Sequence, residues 1–420
     1  MNPRWGLRTV EEHLQACLAL ARPAGGVESV DLVSAAGRVL AADVAAGADL
    51  PGFDNSAMDG YAVRAADVAG AGESAPVVLP VVADLPAGSG RPQPLPPGAA
   101  ARIMTGAPLP EGADAVVQVE WTDAGTDRVR IDRGVPQGRN VRRAGDDVHA
   151  GDVVLRAGTR LSARHVALLA AVGSPTVAVR RRPRVVVIST GSELRPPGTP
   201  LAFGELHDSN GYALAVAATA AGAQARYGGN VADDAQPVAQ ALAAAAADAD
   251  LVITSGGVSA GAYDVVKEVL TASGTVAFGK VAMQPGAPQG CGTLRAPDGR
   301  DVPVLTFPGN PVSALVSFEV FGRPVVRALH GEPDPVAVPV HLPAGEDWTA
   351  SPGRRRFLRA RLAPAADGTT VVVQAGGTGS HLVAGLAGAT CLAVVPEDVD
   401  VVRAGELVAC VMLEGGAGTT

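Results

Sequence analysis

The sequence predicts a multidomain α/β protein: a central, mostly parallel α/β domain, an inserted β domain, a helical scaffold domain and a small C-terminal β barrel. Three observations carry this. From Arg184 to Phe321, apolar strand-like runs lead repeatedly into glycine-bearing loops and then helices, the period of a parallel α/β layer. From Pro76 to Glu120, and again past His330, short Val-rich runs alternate with Gly and Pro turns, as in small β domains. The 420 residues are 47% hydrophobic, enough chain for three or four packed cores.

Taken in order, Thr9 to Leu20 places Val10, His13, Leu14, Cys17 and Leu18 at helical spacing toward a core, with Thr9 as N-cap before Glu11 and Glu12. Glu28 to Val44 reads as a short strand and a helix, ending in the turn-rich Ala45 to Pro51. The β texture then holds as far as Glu120, and Ser162 caps a helix from Ala163 to Val172, so the β segment is an insertion into a helical scaffold. After the basic junction Arg180 to Arg184, strands are expected at Arg184 to Ser189, Ala225 to Asn230, Leu251 to Thr254, Val276 to Met283 and Val302 to Thr306. Helices are expected at Tyr212 to Ala221, Pro237 to Ala247, from near Ala262, and at Val312 to Phe321 behind an Asn310 N-cap and Pro311. Val336 to Leu342, Arg356 to Leu362, Thr370 to Gln374, Cys391 to Val395 and Leu407 to Met412 are the strand candidates of the C-terminal β domain, whose pattern alone fits a small barrel or a sandwich.

Composition narrows the function. A formal charge of −8 and the small size of the basic run Arg180 to Arg184 argue against nucleic acid as the main partner. No apolar stretch is long enough to span a bilayer and the N-terminus lacks signal-peptide character, so a cytoplasmic location with reduced thiols is expected. Cys17, Cys291, Cys391 and Cys410 show neither a CxxC pair nor a His partner at zinc-ligand spacing, so no thiolate metal site is expected.

The chemistry concentrates in glycine loops. Ser255 to Gly261 lies between a buried strand and a helix, carries Gly256, Gly257 and Gly261 with the hydroxyls of Ser255 and Ser259, and is followed by Asp264 in the first helical turn. Such a loop is either an anion cradle backed by a carboxylate or an ordinary strand-to-helix turn. Thr190 to Glu193 and Phe307 to Pro311 repeat the pattern, and the carboxyl edge of a parallel sheet should bring the three together. Asp54, Asn55, Ser56 and Asp59 in Leu50 to Arg64 form either Asx turns or a ligand loop. Arg142, Arg143, Asp146 and Asp147 form either surface ion pairs or a phosphate and cation site.

Six stretches together resemble the molybdopterin molybdenumtransferase family, of the MoeA and gephyrin E-domain type: PGFDNSAMDGYAVR (51 to 64), RIMTGAPLPEGADAVVQVE (102 to 120), NVRRAGDDVHAGD (140 to 152), VVVISTGSEL (185 to 194), DLVITSGGVSAGAYDVVKEVL (250 to 270) and LTFPGNPVSALVSFEVF (305 to 321). They follow the family order along nearly the whole chain. The resemblance implies a scaffold domain (1 to 50 with 150 to 181), an inserted β domain (51 to 149), a molybdopterin-binding α/β domain (182 to 331) and a C-terminal β domain (332 to 416). It implies a homodimer, with an active site between the α/β domain of one subunit and the inserted β domain of the other. The implied reaction is Mg²⁺-dependent insertion of molybdate into adenylylated molybdopterin with release of AMP. Molybdopterin adenylyltransferase and apoproteins of molybdenum enzymes would be its protein partners.

By motif position, Asp59, Asp147, Asp264 and Lys280 would be catalytic. Thr105, Arg142, Ser255, Gly256, Gly257, Ser259, Pro308 and Pro311 would bind substrate, and Glu193, Asp233 and Asp264 would hold the metal. Hard oxygen ligands suit Mg²⁺, and cations offset the repulsion between an oxyanion and a phosphoanhydride. One departure stands out: Gln284 and Ala287 occupy places where many relatives carry basic residues. A cofactor-delivery scaffold without insertion activity and a molybdopterin adenylyltransferase are the competing readings; the β domains and the MDG motif (58 to 60) disfavour the second.

Overall fold

The computed structural model describes residues 4–258, 265–272, 274–350 and 352–413. The chain divides into two compact units, Met1–Glu28 with Gly37–Ala41 and Ala178–Thr420, and Ser29–Ala36 with Ala42–Val177.

The first unit is built on a seven-stranded sheet. Its strands are β1 (Arg4–Arg8), β2 (Arg184–Thr190), β3 (Gln224–Val231), β4 (Leu251–Ser255), β5 (Val276–Val281), β6 (Pro288–Arg295) and β7 (Asp301–Phe307), in the order β1-β5-β6-β7-β4-β2-β3. β3, β2, β4 and β7 run parallel, whereas β6 is antiparallel to both of its neighbours. β2 and β4 are buried along almost their whole length, which explains why they read as unbroken apolar runs. Helices α1 (Val10–Leu18), α2 (Asn210–Ala220), α3 (Ala235–Asp248), α4 (Val265–Ala272) and α5 (Pro311–Ser317) supply the layers on its faces. Val187, Leu214, Ile253, Phe307 and Phe321 centre one core, and Val186, Leu242, Val252 and Val304 the other, so successive residues of β2 and β4 feed opposite layers. α1 begins with the expected cap: the Thr9 hydroxyl accepts from the Glu12 amide at 3.1 Å, and the Glu12 carboxylate accepts from the Thr9 amide at 2.9 Å.

The C-terminal part of this unit carries a second sheet in the order Met283–Gln284, Arg355–Pro364, Cys391–Val395, Leu407–Met412 and Val340–Pro343, with Thr370–Gln374 also paired to Arg355–Pro364. A bridge between Ala344 and Val372 joins the far strands and closes the expected small barrel. Trp348, Leu358, Val372, Cys391 and Cys410 fill it.

The second unit holds a five-stranded sheet in the order Ala115–Gln118, Gly60–Val63, Ala100–Ile103, Val77–Leu85 and Arg128–Ile131, around Tyr61, Val63, Leu79, Val117 and Ile131. The helix Ala163–Ala171 starts at Ser162 as expected.

Two local expectations fail. After the strand Val27–Asp31 the chain forms turns rather than a helix: the Asp31 carboxylate accepts from the Ser34 amide at 2.9 Å and its hydroxyl at 2.7 Å. Asn310 precedes α5 but gives the helix no side-chain cap; its amide donates to Ser380 Oγ at 3.1 Å.

Candidate active site

The carboxyl ends of β2, β4 and β7 lie side by side, with Ser189 opposite Ser255 and Ser255 opposite Phe307. Each strand ends within a residue or so of there and passes into a glycine loop. All three loops line one cleft of about 1060 Å³ in the first unit. Its lining includes Glu193, Asp233, Ser255, Gly256, Gly257, Pro308 and Pro311, so seven of the site residues read from the sequence meet in one place.

Asn210, at the start of α2, ties the loops together. Its side-chain amide donates to Ser255 Oγ at 2.8 Å and to the Gly309 carbonyl at 2.7 Å. The Gly256 amide donates to the Phe307 carbonyl at 3.0 Å. Gly256 has φ +103°, and a Cβ there would sit 2.4 Å from the Thr190 carbonyl oxygen; only glycine permits this loop to lie so close to its neighbour.

The acids are placed by local bonds. Asp233 Oδ2 accepts from the Ser192 amide at 3.2 Å, and Ser192 Oγ accepts from the Asp233 amide at 3.1 Å, joining the first loop to the segment before α3. The Glu193 carboxylate folds over Gly191, its oxygens 2.8 and 2.9 Å from where a Cβ on that glycine would stand. Asp208 is buried and spoken for: the Tyr227 hydroxyl donates to it at 2.6 Å and the Gly211 amide at 3.1 Å. Glu193 and Asp233 are both exposed, and both present hard oxygen donors to the cleft, the chemistry that suits Mg²⁺. Ser259 and Asp264 lie outside the described residues.

Lys280 is exposed on β5 opposite Pro288, and it is not among the residues lining this cleft. The lining instead includes Arg354, together with Gln284 and Ala287. Asn210, Arg354, Ser380 and His381 were not singled out by motif. Arg354 sits in the run GRRRF (353 to 357), whose basic character is the one signal for it; the Asn210 and Ser380 contacts span 99 and 70 residues and leave no local trace.

The remaining site residues belong to the second unit. Asp59 Oδ1 accepts from the Thr105 amide at 2.7 Å and its hydroxyl at 2.8 Å; that amide first, then the hydroxyl, hold the Asp59 carboxyl below the usual carboxylate range. Asn55–Ser56 pairs with Val141–Arg142, and the Ala57 amide donates to the Asn140 carbonyl at 2.9 Å, so Asp59, Thr105 and Arg142 belong to one group of joined loops. The Asp147 amide donates to the Leu50 carbonyl at 3.0 Å, leaving its carboxylate exposed. Arg143, by contrast, pairs with Asp54, whose other oxygen accepts from the Ala144 amide at 2.9 Å; this part of the charge cluster closes on itself.

A crevice at the carboxyl edge of a parallel sheet, lined by glycine loops and oxygen donors, is the usual ligand site of open α/β proteins. Comparison with known sequences is more specific. The family model of the MoeA N-terminal region (domain I and II) matches residues 8–173, that of a probable molybdopterin binding domain matches 186–328, and that of the MoeA C-terminal region (domain IV) matches 341–413. Molybdopterin molybdenumtransferase 2 of Mycobacterium tuberculosis is 46% identical over 405 residues, covering 95% of this chain and 98% of its own. Molybdopterin molybdenumtransferase of a Nostoc species is 41% identical, covering 88% of this chain and 85% of its own. The solved structure of the molybdopterin biosynthesis MoeA protein from Pyrococcus horikoshii has a TM-score of 0.82 at 29% identity, covering 97% of this chain and all of the other. The chain belongs to the MoeA family of molybdopterin molybdenumtransferases.

Proposed function

We propose that this enzyme inserts molybdate into adenylylated molybdopterin and releases AMP, with Mg²⁺ assisting. The observation that carries the reading is the convergence of three glycine loops with Glu193 and Asp233 in one cleft. The loop at Ser255 to Gly257 and the start of α5 offer polar backbone to a phosphate. Glu193 and Asp233 would hold the metal, which when bound would screen the pyrophosphate and polarise the anhydride. Those carboxylates otherwise repel an anionic substrate, so the ion and the substrate should bind cooperatively. Arg354 supplies positive charge in the lining. Asn210 keeps the second and third loops in register, and Asp59, anchored by Thr105, stays ionised at neutral pH. The resemblance further supports a homodimer that meets molybdopterin adenylyltransferase and molybdenum-enzyme apoproteins in the cytoplasm.

AMP release from adenylylated molybdopterin tests this reading. Release should require both Mg²⁺ and molybdate. Tight binding of the substrate without any release under these conditions would instead identify a delivery scaffold. In the same assay, Ala287→Lys should lower the molybdate concentration needed for half-maximal rate several-fold, because it restores a cation in the cleft. An unchanged molybdate dependence would show that other cations already neutralise the oxyanion.

A further inference from the structure

Against the expectation drawn from cysteine spacing, we propose that His13, Cys17 and Cys291 form a binding site for one thiophilic d¹⁰ cation, Zn²⁺ or Cu⁺, that joins α1 to β6. None of the three lines the cleft. His13 and Cys17 are four residues apart on α1 and share one face, while Cys291 reaches them from β6; all three are buried, at 1%, 0% and 8% exposure. One ligand atom from each lies within 4.8 Å of the other two. His13 Nε2 is 3.6 Å from Cys17 Sγ. Zinc bonds of about 2.3 Å to sulfur and about 2.1 Å to nitrogen give a tetrahedral ligand-to-ligand edge of about 3.6 Å, so this pair already stands at coordinating separation.

The donor set chooses the ion. Two thiols and an imidazole favour Zn²⁺ and Cu⁺ over Mg²⁺ or Ca²⁺, and d¹⁰ ions impose no geometry of their own through d electrons. The His13 ring stands edge-on to Phe321, with centroids 4.7 Å apart, which fixes the plane from which Nε2 faces Cys17. Binding converts both thiols to thiolates and releases two protons. With Zn²⁺ the cluster becomes neutral; with Cu⁺ it carries one negative charge facing Arg8. In either case the ion would fasten the N-terminal helix to the sheet.

The test uses the full-length protein, reduced, stripped with a chelator and titrated anaerobically with Zn²⁺ and, separately, Cu⁺. One equivalent of either should bind, with sulfur neighbours in the metal X-ray absorption spectrum and a raised melting temperature; the ion bound more tightly identifies the occupant. His13→Gln and Cys291→Ser, each checked for fold by circular dichroism, should weaken binding at least tenfold. If the variants do not fold, protection of Cys17 and Cys291 from alkylation by one equivalent of metal in the wild-type protein serves in their place. The proposal is overturned if the folded, reduced protein binds less than about a tenth of an equivalent, if binding survives in Cys17→Ser/Cys291→Ser, or if the wild type shows no such protection.

Discussion

Gly256→Ala should lower the rate of AMP release by about 100-fold or more while leaving a folded protein, since misplacing a binding group by about an ångström is enough for such a loss. The added methyl meets the Thr190 carbonyl at 2.4 Å and Thr190 Oγ1 at 2.8 Å, and alanine at φ +103° is strained even in open space. Neither contact is the end of a flexible side chain free to move away, so the Ser255 to Gly257 loop must shift. Because its Gly256 amide is bonded to the Phe307 carbonyl, and Ser255 to Asn210, the shift spreads to the other loops. Gly309→Ala is the matched control. A methyl there reaches only Gly256 Cα at 3.5 Å, an ordinary contact, and should cost a few-fold at most. Equal effects of the two substitutions, measured as AMP release by protein of native circular dichroism, would contradict the packing account.

The second large effect concerns the two exposed acids. Glu193→Gln combined with Asp233→Asn should raise the Mg²⁺ concentration for half-maximal AMP release by about 10- to 100-fold. Asparagine at position 233 keeps an oxygen for the Ser192 amide, and glutamine keeps the shape of the group over Gly191, so charge is the property removed. Titrating Mg²⁺ at saturating molybdate checks this. An unaltered Mg²⁺ dependence would remove both residues from the metal site and leave it to acids elsewhere, Asp264 among them.

Much of the candidate cleft is legible in the sequence because its elements are local. β2 and β4 are buried on both faces and so appear as apolar runs, and the loops that follow them announce themselves by glycine. What escaped reading depends on distant partners. β6, with Gly290 and Gly292, does not resemble a strand in sequence. Yet a Cβ at Gly290 would stand 2.2 Å from Thr306 Oγ1 and 2.6 Å from the Phe278 ring, so the neighbouring strands dictate the glycine. Asn210 lies just ahead of the helix expected at Tyr212 to Ala221, and only the fold shows that it bonds to two loops. The same holds for His13 and Cys17, whose helical spacing placed them in a core while their third member, Cys291, arrives from a strand remote in sequence. The helix expected after the strand within Glu28 to Val44 does not form, because Asp31 and Ser34 offer the backbone a turn, a competition that apolar periodicity does not register.

The central claim is that the cleft between the three glycine loops holds the pterin phosphate. A crystal structure with adenylylated molybdopterin bound tests it most directly. The expected result is a phosphate within hydrogen-bonding distance of the Ser255 to Gly257 loop and a pyrophosphate directed toward Glu193 and Asp233. A ligand bound elsewhere, with these loops untouched, would contradict it.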